Sequence, residues 1–155
     1  MTMVGTGREL LTQVDEAVER IIQAVHGTIN PESLRVDDWS VQDTLGHIAF
    51  WHESFARNVK ALVEGREPEV LEGSYPDLNR MGVERSRHMS VGQIAGRIRR
   101  AQRVIRHSIF ALPADTQIPY RKGSRAYTPD EHLVIVRDHI VAHLNRIEKA
   151  KKRRR

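Results

Sequence analysis

The sequence predicts an all-α fold, a four-helix bundle with a long connection between its second and third helices. Apolar residues recur every three or four positions rather than alternating, several of the apolar segments open on good capping residues, and glycine and proline punctuate the gaps between them. A length of 155 residues suits one domain able to bury a core. With 39% hydrophobic and 29% charged residues, the composition is that of an ordinary soluble protein.

The first helix is predicted from about Gly7 to His26, with Leu10, Leu11, Val14, Val18, Ile21, Ile22 and Val25 on one stripe. Gly27, Asn30 and Pro31 break it. Ser40 and Asp43 make a capping-box-like start for the second, which continues through Leu45, Ile48, Trp51, Phe55, Val59 and Leu62 to Gly65 and Pro68. A loop from about Gly65 to Asp77 and a short helix near Asn79 to Arg87 form the long connection. Ser90 and Gln93 open the third long helix, carried by Val91, Ile94, Ile98, Val104, Ile105 and Phe110, and Pro113 and the segment Gln117 to Tyr127 follow it. The fourth has the clearest start. Thr128 can cap, Pro129 suits the first turn, and Asp130 and Glu131 favour the positive helix end; the helix reaches about Lys149. No segment sustains a period of two.

A net charge of +5 and a pI near 10.0 point to nucleic acid until the charge is located. Six of the 25 basic residues lie between Lys149 and Arg155, which leaves residues 1–148 with 19 basic against 20 acidic side chains, a net charge of −1. The expected organisation is a bundle domain over 1–148 and a basic tail over 149–155, with no specific nucleic-acid partner, since that would require a basic footprint on the body. No apolar run approaches the roughly 20 residues of a membrane span, and no basic-then-apolar leader pattern opens the chain, so no membrane partner and a cytoplasmic location are expected. Cysteine is absent. Any metal must then be held by His, Asp or Glu, and thiol chemistry must use a thiol from outside.

The eight histidines carry the chemistry. His139 and His143 are four apart on the last helix, so they project from one face with Cβ atoms roughly 6 Å apart. That is close enough to share an ion with Zn–N bonds of roughly 2.0–2.1 Å. His132 lies on the same stripe but two turns away, roughly 10 Å along the axis, too far to share it. On the second helix the candidates for a third ligand are His47 and His52. Helical-wheel angles place His52 near the middle of the apolar stripe and His47 at its edge beside Trp51 and Asn58, so periodicity alone does not choose His47. A ligand at the border of the core, facing a cleft, is physically sensible, whereas a buried His52 reads as a core histidine bonded to a neighbour.

Two stretches resemble a known family. Trp39-Ser40-Val41-Gln42-Asp43-Thr44-Leu45-Gly46-His47-Ile48-Ala49-Phe50-Trp51 is similar to a segment of the DinB/YfiT-like superfamily, in which a tryptophan precedes the first metal-ligand histidine by eight residues. Asp138-His139-Ile140-Val141-Ala142-His143-Leu144-Asn145-Arg146-Ile147 resembles that family's closing His-x-x-x-His helix, and Asn79 falls near a family asparagine. The likeness spans about Glu9 to Ile147. It implies a DinB/YfiT-like bundle with a divalent metal, zinc or nickel, held by His47, His139 and His143.

The resemblance also implies a function: a metal-dependent transferase using bacillithiol, mycothiol or glutathione as a low-molecular-weight thiol cosubstrate, or a hydrolase, acting on a small electrophile. The alternative is a non-catalytic bundle that binds a small ligand or a partner subunit, its histidines structural. Homodimers are common among such bundles. Asp43, Glu53, Asn79 and Tyr75 are auxiliary candidates by neighbourhood. Arg99, Arg103 and Arg106 share one side of the third helix and read as a solvated face, with a phosphate or carboxylate site as the sharper possibility. Trp39 and Trp51 could line a pocket but read rather as core and cap-packing residues.

Because the body is nearly neutral, removing Lys151 to Arg155 is expected to abolish most retention on a heparin column at low salt, where binding rests on counterion release. Equal retention of the truncated chain would place a basic surface on the bundle itself.

Overall fold

Side-chain capping sets the helix boundaries. The computed structural model describes residues 6–154, and the helices are α1 (Gly7–His26), α2 (Val41–Val63), α3 (Tyr75–Ser86), α4 (Val91–Ser108) and α5 (Pro129–Arg154). Reciprocal caps open four of them: Thr6 with Glu9, Ser40 with Asp43, Ser90 with Gln93, and Thr128 with Glu131. Each cap occupies two of the backbone donors that a helix start leaves unpaired. At the other end of α2, Gly65 takes φ +72°, and Gly65 and Arg66 return their amides to Leu62 and Ala61 at 3.2 and 2.8 Å. This is the glycine-terminated closure that the left-handed conformation permits.

The long helices form a ring. α1 lies against α5 and α4, α2 packs along α4, and α2 and α5 approach over a short stretch only. Leu10, Ile21, Leu45, Ile48, Ile94, Ile98, Ile105, Leu133 and Ile140 fill the centre, all at or below 1% exposure. Burial of one such side chain stabilises by roughly 1.5–3 kcal/mol, which is why the apolar stripes determine the arrangement. No helix among the described residues is long and apolar enough to cross a membrane.

Several local features differ from expectation. The short helix starts at Tyr75, earlier than expected, because Ser74 caps it through the Asp77 amide at 3.2 Å and Pro76 stands in its first turn. α4 tightens into a 3-10 turn at Ile109–Ala111, leaving Phe110 43% exposed with Arg8 over its ring rather than in the core. A ribbon of two two-residue strands, β1 (Arg35–Val36) and β2 (Trp39–Ser40), precedes α2 and is too short for any period to register. The final helix does not stop at Lys149 but runs to Arg154. Its cations find acceptors near the end of α1: Lys151 Nζ donates to the Ala24 carbonyl at 3.2 Å, and Arg154 donates to the Ile29 carbonyl and, at 3.2 Å, to Ser33 Oγ. Positive charge is favoured at a helix C-terminus.

α3 lies close against α2 at two glycines. A Cβ on Gly46 would stand 2.6 Å from Ser86 Cβ, and one on Gly82 2.7 Å from Phe50 Cβ and Cγ. Gly82→Ala is therefore expected to destabilise by about 1–3 kcal/mol through overpacking, although alanine is the better helix former. Gly96→Ala on α4, where a Cβ meets only the end of Arg100 at 3.4 Å, should stabilise by about 0.5–1 kcal/mol. Urea unfolding of both variants checks the pair; equal signs would contradict the close approach of α3.

Candidate metal centre

His47 sits seven residues inside α2, whose start is fixed by the Ser40–Asp43 cap, with hydrogen bonds of 3.0 and 3.3 Å. His139 and His143 project from α5 across the gap. His139 Nε2 lies 3.1 Å from His47 Nε2 and 3.1 Å from His143 Nε2, and one nitrogen of each ring falls within 4.8 Å of the others. The structure thus brings His47 to the pair and excludes His52, which is 2% exposed and bonded through Nε2 to Gln102 Oε1 at 2.7 Å. Gln102 in turn donates to Asp15 at 2.6 Å, so His52 belongs to a polar chain through the core joining α2, α4 and α1. His132 also lies apart from the trio, stacked on Phe55 at 4.5 Å.

A proton count shows that the trio fits a cation. A neutral imidazole nitrogen carries either one hydrogen or one lone pair in the ring plane. His139 Nε2, with two nitrogen neighbours at 3.1 Å, cannot satisfy both. An ion at the convergence would accept all three lone pairs. The spacing also suits one, since two ligands at roughly 2.1 Å and tetrahedral angles stand roughly 3.4 Å apart. One departure from common practice is that His47 Nδ1 is buried without an acceptor, where ligating histidines usually donate their second N–H. Trp39, packed against the His47 ring at 4.9 Å, constrains its orientation instead.

Electrostatics keep the trio neutral. Burial pushes the His47 pKa down to about 2, helped by His139, His143 and Arg146, and pushes His143 down to about 3. His139 is lowered by the same burial and by Arg146. Neutral imidazole is the form that binds metal.

The trio opens onto a cavity of about 570 Å³ between α2 and α5. Trp39 and Trp51, read first as core and cap-packing residues, line this cavity and are only half-buried. Asn79 accepts from Trp51 Nε1 at 2.7 Å, and the Tyr75 hydroxyl bonds Tyr120 at 2.7 Å and Ser124 at 3.1 Å, so both of these auxiliary candidates belong to the cavity wall. Burial alone would raise the Tyr75 pKa, but its bonds with Ser124, Tyr120 and Arg121 bring it below the ordinary value; Tyr120, more desolvated and beside Tyr75, is pushed up to about 12. The other two candidates lie elsewhere. Asp43 caps α2, and Glu53 makes a bidentate pair with Arg97 at 2.5 and 3.1 Å. Of the arginine row, Arg99 pairs with Glu19 at 2.9 Å and Arg106 with Asp15, so that face is partly committed to α1.

Sequence reasoning missed Ser54, Tyr120, Tyr127 and Arg146, all of which line the cavity. Ser54 and Arg146 were accessible in principle, since they lie seven and three residues from a ligand candidate on the same helix. The tyrosines arrive on a loop that no periodicity places.

The chain is an all-α bundle of the DinB/YfiT-like helical superfamily, with a histidine trio converging from two of its helices. The family model described as mycothiol maleylpyruvate isomerase N-terminal domain matches residues 11–141, and the chain belongs to that family. No curated protein and no solved structure matches the chain.

The buried neutral histidines make stability depend on pH. His52 and His132 are each held down to about 4, chiefly by burial, against roughly 6.5 in the unfolded chain. Their contribution is complete above about pH 6.5 and is lost as pH falls toward 4, with a slope of about 1.4 kcal/mol per pH unit for each histidine. Urea unfolding of the metal-free protein from pH 7 to 5 should show this fall, and His52→Gln should remove one histidine's share of the slope. An unchanged slope in the variant would mean that His52 is not held neutral.

Proposed function

We propose that the protein is a metal-dependent enzyme that presents a low-molecular-weight thiol of the mycothiol kind to a small electrophile. The observation that carries this reading is the convergence of three neutral imidazoles, His47, His139 and His143, on the wall of an aromatic cavity large enough for a small-molecule ligand. The name of the matched family supports the choice of thiol.

A divalent ion held there would supply Lewis acidity, favouring the ionised form of a nucleophile at neutral pH. The residues of the chain do the rest. The three imidazoles bring no negative charge, so the ion's positive charge stays available to the nucleophile. Arg146 lies at the same end of the cavity and makes no ion pair among the described residues. Its guanidinium is placed to hold an anionic group of the electrophile near the histidines. Trp39, packed on the His47 ring, and Trp51, against Tyr75 and Tyr120, line the cavity with apolar surface that would exclude water from a reactive nucleophile. The thiol contributes the sulfur and loses its proton, and a sulfur–carbon bond forms as the electrophile gives up a leaving group or a π bond. Absence of cysteine from the chain agrees with an external thiol.

Titration calorimetry with zinc and with nickel tests the centre. His47→Ala, His139→Ala and His143→Ala should each abolish tight binding, while His52→Ala should lower stability and leave binding intact. Bound metal should raise stability by about 2.7 kcal/mol at a hundredfold excess over Kd. In cobalt-loaded protein, mycothiol should produce a sulfur-to-metal charge-transfer band, and catalysed transfer to a chlorinated nitrobenzene should disappear in His47→Ala. Bacillithiol and glutathione serve as comparison thiols. Failure to take up any of the three metals would overturn the centre; uptake with no thiol band and no acceleration would overturn the thiol chemistry alone.

A further inference from the structure

A second set of unsatisfied polar atoms belongs to other residues lining the same cavity. Among the described residues, five buried side-chain atoms have no hydrogen-bond partner, and three of them are Ser54 Oγ and the two ring nitrogens of His132. Ser54 is 1% exposed and His132 6%, and both line the cavity. The Ile118 carbonyl stands near enough to favour a protonated His132, yet neither ring nitrogen meets an acceptor in hydrogen-bond geometry. Buried polar atoms are paired in the great majority of cases, so three orphans around one cavity need a reason.

Helix geometry gives their position. Ser54 is seven residues after His47 on α2, and His132 is seven residues before His139 on α5. His47 faces His139 while Phe55 stacks on His132, so the two helices run antiparallel along the cavity. Seven residues are two turns, roughly 10 Å of rise. Ser54 and His132 therefore mark the same depth on opposite walls, about 10 Å from the trio. The surroundings at that depth are aromatic: Phe55 stacks on His132, and Tyr120 and Tyr127 meet it edge-on at 5.8 and 5.7 Å. The charges nearby are already paired, Arg125 with Glu131 at 2.8 Å. A hydroxyl and a neutral imidazole each both donate and accept, which complements a group that does likewise.

We infer that Ser54 and His132 form a second binding point, which takes an uncharged hydroxyl or amide group at the far end of a ligand whose head reaches the histidine trio. The span rests on the metal-centre reading above. The pairing of the orphan atoms does not.

Two thiols of different length test it in cobalt-loaded protein, with the charge-transfer band as the measure of binding. Mycothiol is long enough to reach from the trio to Ser54 and His132; 2-mercaptoethanol is not. Ser54→Ala and His132→Phe should each weaken mycothiol by about tenfold or more, the factor that loss of one good hydrogen bond to a buried group produces. The same variants should leave 2-mercaptoethanol affinity and cobalt content unchanged. Metal-free Ser54→Ala should melt at an unchanged or slightly higher Tm, because the substitution removes an unpaired polar atom rather than a bond. Equal weakening of both thiols, no weakening of mycothiol, or a Tm lowered by several degrees in Ser54→Ala would overturn the inference. If neither thiol binds the wild type, the thiol reading fails, and the Tm of metal-free Ser54→Ala then decides the second binding point: unchanged or raised supports it, lowered overturns it.

Discussion

The amide of Asn58, 1% exposed on the inner face of α2, ties two loops to the bundle at once. Its oxygen accepts from the Glu69 amide at 2.8 Å, and its nitrogen donates to the carbonyls of Glu69 at 3.0 Å and Pro119 at 2.8 Å. From that anchor the chain pairs Leu71 with Tyr120 and Lys122, and Ile118 with Tyr127. Tyr120 and Tyr127 are thereby held against the gap between α2 and α5. Without the clamp, the gap would be an open groove between two helices; with it, the groove acquires an aromatic cover and a definite volume. A buried amide satisfied at three points is the kind of polar group that specifies one arrangement, because every alternative leaves it unpaired.

Buried polar groups elsewhere in the bundle fall into two kinds, and the contrast separates structure from site. His52, Gln102, Asp15 and Arg106 form a connected chain across three helices, and Glu53, Arg97 and Ser86 form another. These groups hold the helices in register. The histidines at the α2–α5 gap lack such partners: His139 is placed where its neighbours cannot both be satisfied, and His132, though near the Ile118 carbonyl, meets no acceptor in hydrogen-bond geometry among the described residues. Burial drives the pKa of members of both groups downward, so a depressed pKa does not distinguish them. Hydrogen bonding distinguishes them in part: His52 is paired through Nε2 although its Nδ1 is not, whereas neither ring nitrogen of His132 is paired.

Much of the fold was legible because capping and periodicity are local. Four caps and four apolar stripes can be read within a few residues of where they act, and the two long helices nearest the site, α2 and α5, begin where Ser40 and Thr128 indicate. The spacing of His139 and His143 was legible for the same reason. The choice of His47 over His52 was not legible in periodicity, since the wheel places His52 deeper in the apolar stripe; what favoured His47 was its border position, the reading of a buried His52 as a bonded core histidine, and the tryptophan eight residues before His47. What that stripe could not show is that His52 has Gln102 to bond, on a helix fifty residues away. For Trp39 and Trp51 the sequence left two roles open, core packing and pocket lining, because apolar bulk signals burial but not whether the partner is core or cavity. The aromatic cover depends on Asn58 and on loop pairings between residues about fifty apart, for which no local signal exists.

The cavity's charge has a thermodynamic consequence. No carboxylate stands among its described lining residues, and Arg146 adds a positive group. An ion bound by three neutral imidazoles would therefore sit in a pocket with excess positive charge until an anionic ligand arrives. Linkage makes the effect mutual: whatever factor the ion contributes to the ligand's affinity, the ligand contributes to retention of the ion. Retention of such an ion would then depend on the anionic ligand as well as on the histidines.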